Sequence, residues 1–391
     1  MAIEFVLIFL AFVYAGLMVM YWYGWKSSSE FVLPEVVEDQ IRVSIVVAAR
    51  NEADHIMNCL ASILNCSYNN NLMQLILVDD FSDDQTYELA NSFLQHQTER
   101  VGGRIDFQLI RLNEIEDAGK RFSANKKLAI ESAIERATGD LIVCTDADCM
   151  VPKNWLKTIT SYFTRNPEVR ILSAPVLYHN EKNLLQWFQS LDILGLMGIT
   201  ASGYALGLHS MGNGANLAYW KSAFEEVGGY AGNRQIPSGD DMFLLHKMHT
   251  KWPGSAHFLK SQSAIVSTEA KATFQAFWHQ RLRWGTKNAA MPDWPMRLIL
   301  LAVWFFCTSV FIAAILVGTG TISWKILALQ LSFKLISDWI FLREVCQFFD
   351  RKELLHWFLP SFFMHTFYIS STGLASLVKR SYDWKGQQVK F

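Results

Sequence analysis

The chain has no run of basic residues, and its formal net charge is only −1. That absence excludes the electrostatic footprint of a nucleic-acid binder, so no nucleic-acid partner is expected. Its six cysteines lack metal-ligating spacing. They read as free thiols in a reducing compartment. There is no internal repeat and no low-complexity stretch. Charge is scarce altogether. Charged residues make up 18% of the 391, against 51% hydrophobic and 14% aromatic. The chain is long enough for more than one domain and too apolar for an ordinary soluble one.

The apolar residues are concentrated in runs. Residues 5–25 contain no charge, with Glu4 before them and Lys26 after. At about 1.5 Å per residue this is enough helix to cross a bilayer. A cleaved signal peptide would carry a charged start and a small-residue cut site. Residues 1–26 therefore read as a retained transmembrane anchor, with the N-terminus outside and the next segment cytoplasmic. Residues 298–324 and 354–378 also lack Asp, Glu, Lys and Arg. Between them, residues 326–342 are apolar but include Lys334 and Asp338. Their i, i+4 spacing lets them pair on one helix face, inside protein or at the interface rather than in lipid. The expectation is one folded domain over 27–295, membrane helices over 296–378 and a basic tail over 379–391.

The middle region alternates strand and helix. Residues 42–49, 72–78, 105–112 and 141–145 read as strands, and 52–64 and 124–137 as helices. Ser82-Asp83-Asp84-Gln85 reads as a capping box opening a helix to about Leu94. Pro152 suits the first turn of another helix. This spacing predicts an α/β fold with a mainly parallel, doubly wound sheet. In such sheets ligands bind beyond the carboxyl ends of the strands. Three of those ends carry polar clusters: Arg50-Asn51-Glu52, Asp79-Asp80 and Asp146-Ala147-Asp148.

Side chains two apart on extended backbone point the same way. Asp146 and Asp148 thus present two carboxylates to one side. Oxygen-only ligands suit Mg²⁺ or Mn²⁺, which keep positions open for substrate phosphates. Alternatively they are solvated turn residues. Lys126 and Lys127 sit at a helix start and can meet a diphosphate or simply water. Asn213, Gly214 and Asn216 lie in an amide-rich loop that can wrap an acceptor or only turn the chain. Asp240 and Asp241 precede an apolar helix, where capping is the ordinary reading. Arg283 and Trp284 suit a juxtamembrane anchor.

The order of these pieces is more telling than any one of them. Strand-Asn-Glu, strand-Asp-Asp, Asp-x-Asp, an acidic pair and Gln280-Arg281-Leu282-Arg283-Trp284 before membrane helices resemble the membrane-bound family 2 glycosyltransferases. These have the GT-A fold and include cellulose, chitin and hyaluronan synthases, ceramide glucosyltransferase, and lipid and carotenoid glycosyltransferases. The resemblance covers about residues 43–284 plus the membrane layout. It implies that Ala49, Arg50, Asn51, Glu52 and Asp80 hold the nucleotide, with Asp79 beside them. It implies Lys126 or Lys127 near the diphosphate, and Asp146 and Asp148 at a Mn²⁺ or Mg²⁺ ion. It further implies Asp241 as general base, Gln280 and Arg283 on the diphosphate, and Trp284 bordering the acceptor. One departure is Gly239-Asp240-Asp241, where many members have Thr-Glu-Asp; the final Asp is kept, and the shorter Asp240 changes acceptor contacts.

The resemblance thus implies an inverting transfer from a nucleotide sugar, UDP being the usual carrier. A membrane lipid acceptor at the cytoplasmic face fits residues 184–208, which carry Asp192 as their one charge and read as an interfacial segment. A processive polysaccharide synthase is the alternative, and a catalytically silent scaffold is the reading from another class. The implied location is a bacterial inner membrane, with the catalytic domain cytoplasmic. The tail, with Lys379, Arg380, Lys385 and Lys390, reads as cytoplasmic, yet three crossings after a cytoplasmic domain would leave it outside.

Overall fold

The computed structural model describes residues 1–36, 38–100, 106–114, 125–209, 211–234, 236, 239–290, 293–378, 381–384 and 387–390. The strands of the middle region are β1 (Val43–Ala49), β2 (Met73–Asp79), β3 (Asp106–Arg111), β4 (Leu141–Asp146), β5 (Ile171–Ser173), β6 (Val176–His179), β7 (Leu217–Trp220), β8 (Ala256–Phe258) and β9 (Val266–Glu269). Its helices are α2 (Ile56–Leu64), α3 (Thr86–Arg100), α4 (Asn125–Arg136), α5 (Trp155–Arg165), α6 (Leu184–Leu206), α7 (Lys221–Glu226), α8 (Asp240–Lys251) and α9 (Phe274–Ala290). Before them lies α1 (Ala2–Ser27), and after them α10 (Trp294–Gly318), α11 (Trp324–Phe348) and α12 (Phe358–Val378). A last hairpin pairs β10 (Ser381–Trp384) with β11 (Gln387–Lys390). Lys379, Arg380, Lys385 and Gly386 of the expected basic tail lie outside the described residues.

Seven strands form one sheet in the order β3-β2-β1-β4-β7-β5-β8. The first four are parallel, and β7 runs antiparallel to β4 and β5. Strand β2 is buried along its whole length, as a strand covered on both faces must be, and residues 75–78 are accordingly all apolar. Two polar residues inside the sheet serve the turn into β4. Ser44 Oγ donates to Gln74 Oε1 at 2.7 Å and accepts the Gly139 N–H at 2.9 Å. A Cβ at Gly139 would lie 2.4 Å from Ser44 N, so the chain needs glycine there. The register sets Ala48 level with Asp146 and Ala49 level with Asp79. The order reverses between β1 and β4, which opens a crevice at their carboxyl ends.

Three local expectations need correction. Helix α2 starts at Ile56 rather than residue 52. Ser82 and Gln85 do not form a capping box: α3 starts at Thr86, and Asp84 Oδ1 accepts the Thr86 N–H at 3.0 Å. Ser82 Oγ instead accepts the Asn51 N–H at 3.0 Å, so a cross-loop tie outcompetes the local cap. Pro152 lies before α5, its carbonyl accepting the Trp155 N–H at 3.0 Å.

The long apolar helices form a bundle against this domain. Helices α1 and α10 are long and apolar enough to cross a membrane. Helix α11 runs parallel to α1. Gln330 Nε2 donates to Leu7 O at 3.2 Å near one end, Tyr14 Oη donates to Asp338 Oδ1 at 2.6 Å, and Lys26 Nζ reaches Glu344 Oε2 at 2.5 Å near the other. The anticipated Lys334–Asp338 pair is made inside protein, with Lys334 0% exposed. The run 298–324 is not one helix. It breaks between α10 and α11, where Gly320 adopts φ 72°.

Helix α6 also corrects the expectation of an interfacial segment at 184–208. It is one helix, mostly buried, that packs on α1, α11, α12 and β6. Its glycines permit this: a Cβ at Gly198 would fall 2.6 Å from Val345 Cγ2. Helix α12 packs on α10 on one side and on α6 and α9 on the other. The 3₁₀ turn Lys352–Trp357 before it touches α6, and β10 after it lies against α9.

Candidate active site

A cleft of about 600 Å³ opens beyond the carboxyl ends of β1, β2 and β4 and is closed on its far side by α9. At one end lie Ala49, Arg50, Glu52 and Asp80. Arg50 Nη1 donates to Asp80 O at 3.0 Å, and Asp80 N donates to Ala49 O at 2.8 Å. The loop after β1 is tied to the one after β2. Glu52 N donates to Thr86 Oγ1 at 2.8 Å, and Asp83 N donates to Asn51 Oδ1 at 3.0 Å. Asn51 takes φ 51°, one of the few non-glycine residues to do so. Burial alone would raise Asp84, but the Thr86 hydroxyl and backbone N–H groups hold it below the ordinary carboxylate value. Asn51 and Asp79 do not line the cleft. Asn51 braces the loop, while Asp79 is 2% exposed and raised by burial.

In the middle, Asp146, Asp148 and Cys149 bring their ligand atoms within 4.8 Å of one another. Asp146 and Asp148 supply the oxygen donors of this group, while Cys149 is buried. Two oxygen donors facing an open cleft fit a Mn²⁺ or Mg²⁺ ion that keeps substrate oxygens in its remaining positions. Lys126 Nζ lies 2.6 Å from Asp146 Oδ1 and 3.8 Å from Asp240 Oδ2. Burial alone would lower this lysine; Asp146 and Asp240 hold it well above its ordinary value. Lys127 points elsewhere. Its Nζ is buried and donates to Asn233 O and Ile236 O, both at 2.8 Å. The two lysines left open by sequence are thus divided: Lys126 lines the cleft and Lys127 props the loop before α8.

Across the cleft, Asp240 and Asp241 occupy the first turn of α8, where the helix dipole favours carboxylates. Asp241 is 8% exposed. Its Oδ2 accepts the Gly214 N–H at 3.2 Å and its Oδ1 accepts the Met242 N–H at 2.7 Å. A Cβ at Gly214 would press within 3.3 Å of both Asp240 and Lys126. Asn213 and Gly214 line the cleft, but Asn216 does not. Asn216 is 0% exposed: it donates to Pro175 O and Ala264 O and accepts from Trp155 Nε1. It is a fully satisfied core amide rather than an acceptor contact.

Helix α9 presents Gln280, Arg283 and Trp284 to the cleft. The same helix carries Arg281, which does not line the cleft and is 2% exposed; its Nη1 lies 2.6 Å from Asp192 Oδ2 on α6 and its Cζ sits 4.4 Å above the Trp284 ring. Sequence reasoning missed Tyr178, Glu269, Lys271 and His279, which also line the cleft. The strands that bring the first two there have four residues each, too few for a period to show.

The model of glycosyl transferase family 2 matches residues 44–228, and that of glycosyl transferase family group 2 matches residues 141–369. The chain belongs to glycosyl transferase family group 2. It is a glycosyltransferase related to poly-beta-1,6-N-acetyl-D-glucosamine synthases. That of Staphylococcus aureus (strain MSSA476) is 24% identical over 255 residues, 64% of this chain and 56% of the relative. One from Staphylococcus epidermidis (strain RP62A) is 22% identical over 257 residues, 65% of this chain and 57% of the relative. The chain thus spans less than two thirds of the length of these relatives. Among solved structures, the mannosyltransferase PcManGT from Pyrobaculum calidifontis, in complex with GDP-Man and Mn²⁺, is similar with a TM-score of 0.61 at 17% identity. That similarity covers 96% of this chain and 99% of the other, and it shows that the fold is GT-A.

Proposed function

We propose that the enzyme transfers a sugar, with inversion, from a nucleotide sugar, UDP-linked by family habit, to a membrane lipid at the cytoplasmic face. The observation that carries this is the composition of one wall. The cleft that gathers Asp146, Asp148 and Asp241 is bounded by Ile193 of α6 and by the polar face of α9, and the other faces of both helices pack on the apolar bundle. On this reading a lipid lying along the bundle would approach Asp241 past Ile193, which lines the same cleft. Within the bundle, Tyr14 stacks on Phe306 at 4.3 Å near the buried Lys334. The relatives favour a second reading, a polysaccharide synthase, since those matched make a polymer of N-acetylglucosamine.

Ala49, Arg50, Glu52 and Asp80 would hold the nucleoside, braced by Asn51. Asp148 would hold a Mn²⁺ or Mg²⁺ ion, with Asp146 shared between it and Lys126. When bound, such an ion draws off charge that develops on the leaving diphosphate. Lys126 and Arg283 stabilise the same charge, more in the transition state than in the ground state. Asp241 takes the acceptor proton as that oxygen attacks the anomeric carbon. Asp241→Asn should keep nucleotide affinity and lose transfer by about 10²-fold or more, measured as labelled sugar entering lipid. Full turnover in that variant would remove Asp241 from the mechanism.

A further inference from the structure

Asp146 ends β4, but Asp148 lies in the turn that follows it. The Cys149 N–H closes this turn by donating to Asp146 O at 3.1 Å. Beyond it the chain is held by β9. Met150 and Ser267 exchange both backbone hydrogen bonds, Met150 N to Ser267 O at 2.8 Å and Ser267 N to Met150 O at 2.9 Å. Thr268 Oγ1 then donates to Asp148 O at 3.1 Å. The backbone of the metal-site aspartate is therefore fixed by the hydroxyl of a residue that itself lines the cleft.

Strand β9 pairs with β6 in a separate two-stranded sheet, where Thr268 stands level with Tyr178. That small sheet is gripped from the bundle. Arg351, just after α11, donates from Nη1 to Tyr178 O at 2.8 Å and from Nη2 to Glu181 Oε1 at 2.9 Å. The side chains of Arg351 and Glu181 are 17% and 4% exposed. Glu181 also accepts from Ser190 Oγ of α6. Just before β9, Gln262 Nε2 donates to the carbonyl of Phe348, the last residue of α11, at 2.7 Å. Both strands are thus tied to the end of one helix, and the strand that carries Thr268 is tied to the Asp148 turn. A charged donor shared between two acceptors in a mostly buried place holds them more firmly than a neutral one does.

We infer that Thr268 and Arg351 are positioning residues for the carboxylate of Asp148, acting through the β6–β9 sheet, so that the end of α11 helps to set the metal site. Groups that hydrogen-bond behind a metal ligand fix its orientation, and through it the affinity for the ion. This rests on the reading of Asp148 as the ion's ligand.

The test is Mn²⁺ binding by the full chain in detergent, with UDP and, in parallel, GDP present. It is read from the loss of the six-line electron paramagnetic resonance spectrum of free Mn²⁺, against a blank of nucleotide alone. Thr268→Val should raise the Mn²⁺ concentration for half-occupancy about tenfold or more. Thr268→Ser, which keeps the hydroxyl, should restore wild-type binding. Arg351→Met should raise that concentration about threefold or more. Because both residues act on one sheet, the double variant should fall short of the product of the two single effects. Should Arg351→Met fail to fold, Gln262→Leu removes the other tie to α11 and carries the same expectation. Single effects that simply multiply overturn the link through the sheet. Wild-type occupancy in Thr268→Val, while Asp148→Asn loses the ion, overturns the inference and leaves the metal reading standing. Mn²⁺ held by Asp148→Asn as firmly as by the wild type overturns the metal reading, and this inference with it.

Discussion

Lys126 and Lys127 are adjacent in sequence and end in different environments. On a helix, neighbours point about 100° apart, so one reaches Asp146 while the other turns under the loop to Asn233 and Ile236. Nothing local distinguishes them. The division depends on a segment a hundred residues later, which is why the sequence left both open. Asn213 and Asn216 behave alike: one faces the cleft, and the other is consumed by two carbonyls. Aspartates at strand ends were legible, because a carboxylate after a buried run has few places to go. Burial draws Lys127 down to about 8, against about 10.4 in an unfolded chain. Between these values the unfolded state binds the extra proton, so this residue makes the fold more stable as pH rises from about 8 to about 10. Below 8 that gain is absent. Melting curves in detergent should show it: the wild type gains in Tm across this window relative to Lys127→Met. Parallel pH profiles would show that Lys127 is not the group responsible.

At the scale of elements, the parallel strands were readable from their apolar runs. The helix starts were not, since Ser82 serves Asn51 across a loop rather than its own helix. Helix α6 shows a different limit. Its single charge reads as an interfacial segment, but its glycines mark close helix packing, and a lone sequence does not say which neighbour approaches. That packing has a consequence for α9. Arg281 does not line the cleft that Gln280 and Arg283 line, and its pairing with Asp192 ties α9 to α6. Asp192→Asn leaves a buried guanidinium without its counter-charge, a cost of about 3–5 kcal/mol. Asp192→Leu with Arg281→Met should recover that stability, since apolar replacements of buried pairs are often neutral. The double variant should still transfer sugar more slowly, because α9 is then free to rotate Gln280 and Arg283 out of register. Thermal melts and kcat, measured on the same preparations, separate the two effects. A double variant with wild-type kcat would show that the pair matters to folding alone.

For the whole molecule, the sequence posed a conflict between a basic tail and three C-terminal crossings. The structure offers a resolution through α12. Helices α10 and α11 form a hairpin that leaves the catalytic domain and returns, with α11 ending near the α1–domain junction, where Trp25 meets Phe348 at 5.4 Å. Helix α12 then starts beside α6, and the strand after it lies against α9. Both of its ends neighbour the catalytic domain, so it need not complete a crossing, and we propose that the tail lies on the domain's side. All six native cysteines are buried, which gives a quiet background for labelling. Gln388→Cys and Lys182→Cys should react with an impermeant maleimide from the same face of the membrane. Thr319→Cys, in the turn between α10 and α11, should react from the other. Reaction of Gln388→Cys from the Thr319 side would make α12 a full span. It would then have to leave α9, and the cleft would lose the packing that keeps Arg283 and Trp284 beside the metal carboxylates. The side on which the tail lies and the integrity of the acceptor wall are therefore one question, answered by one labelling experiment.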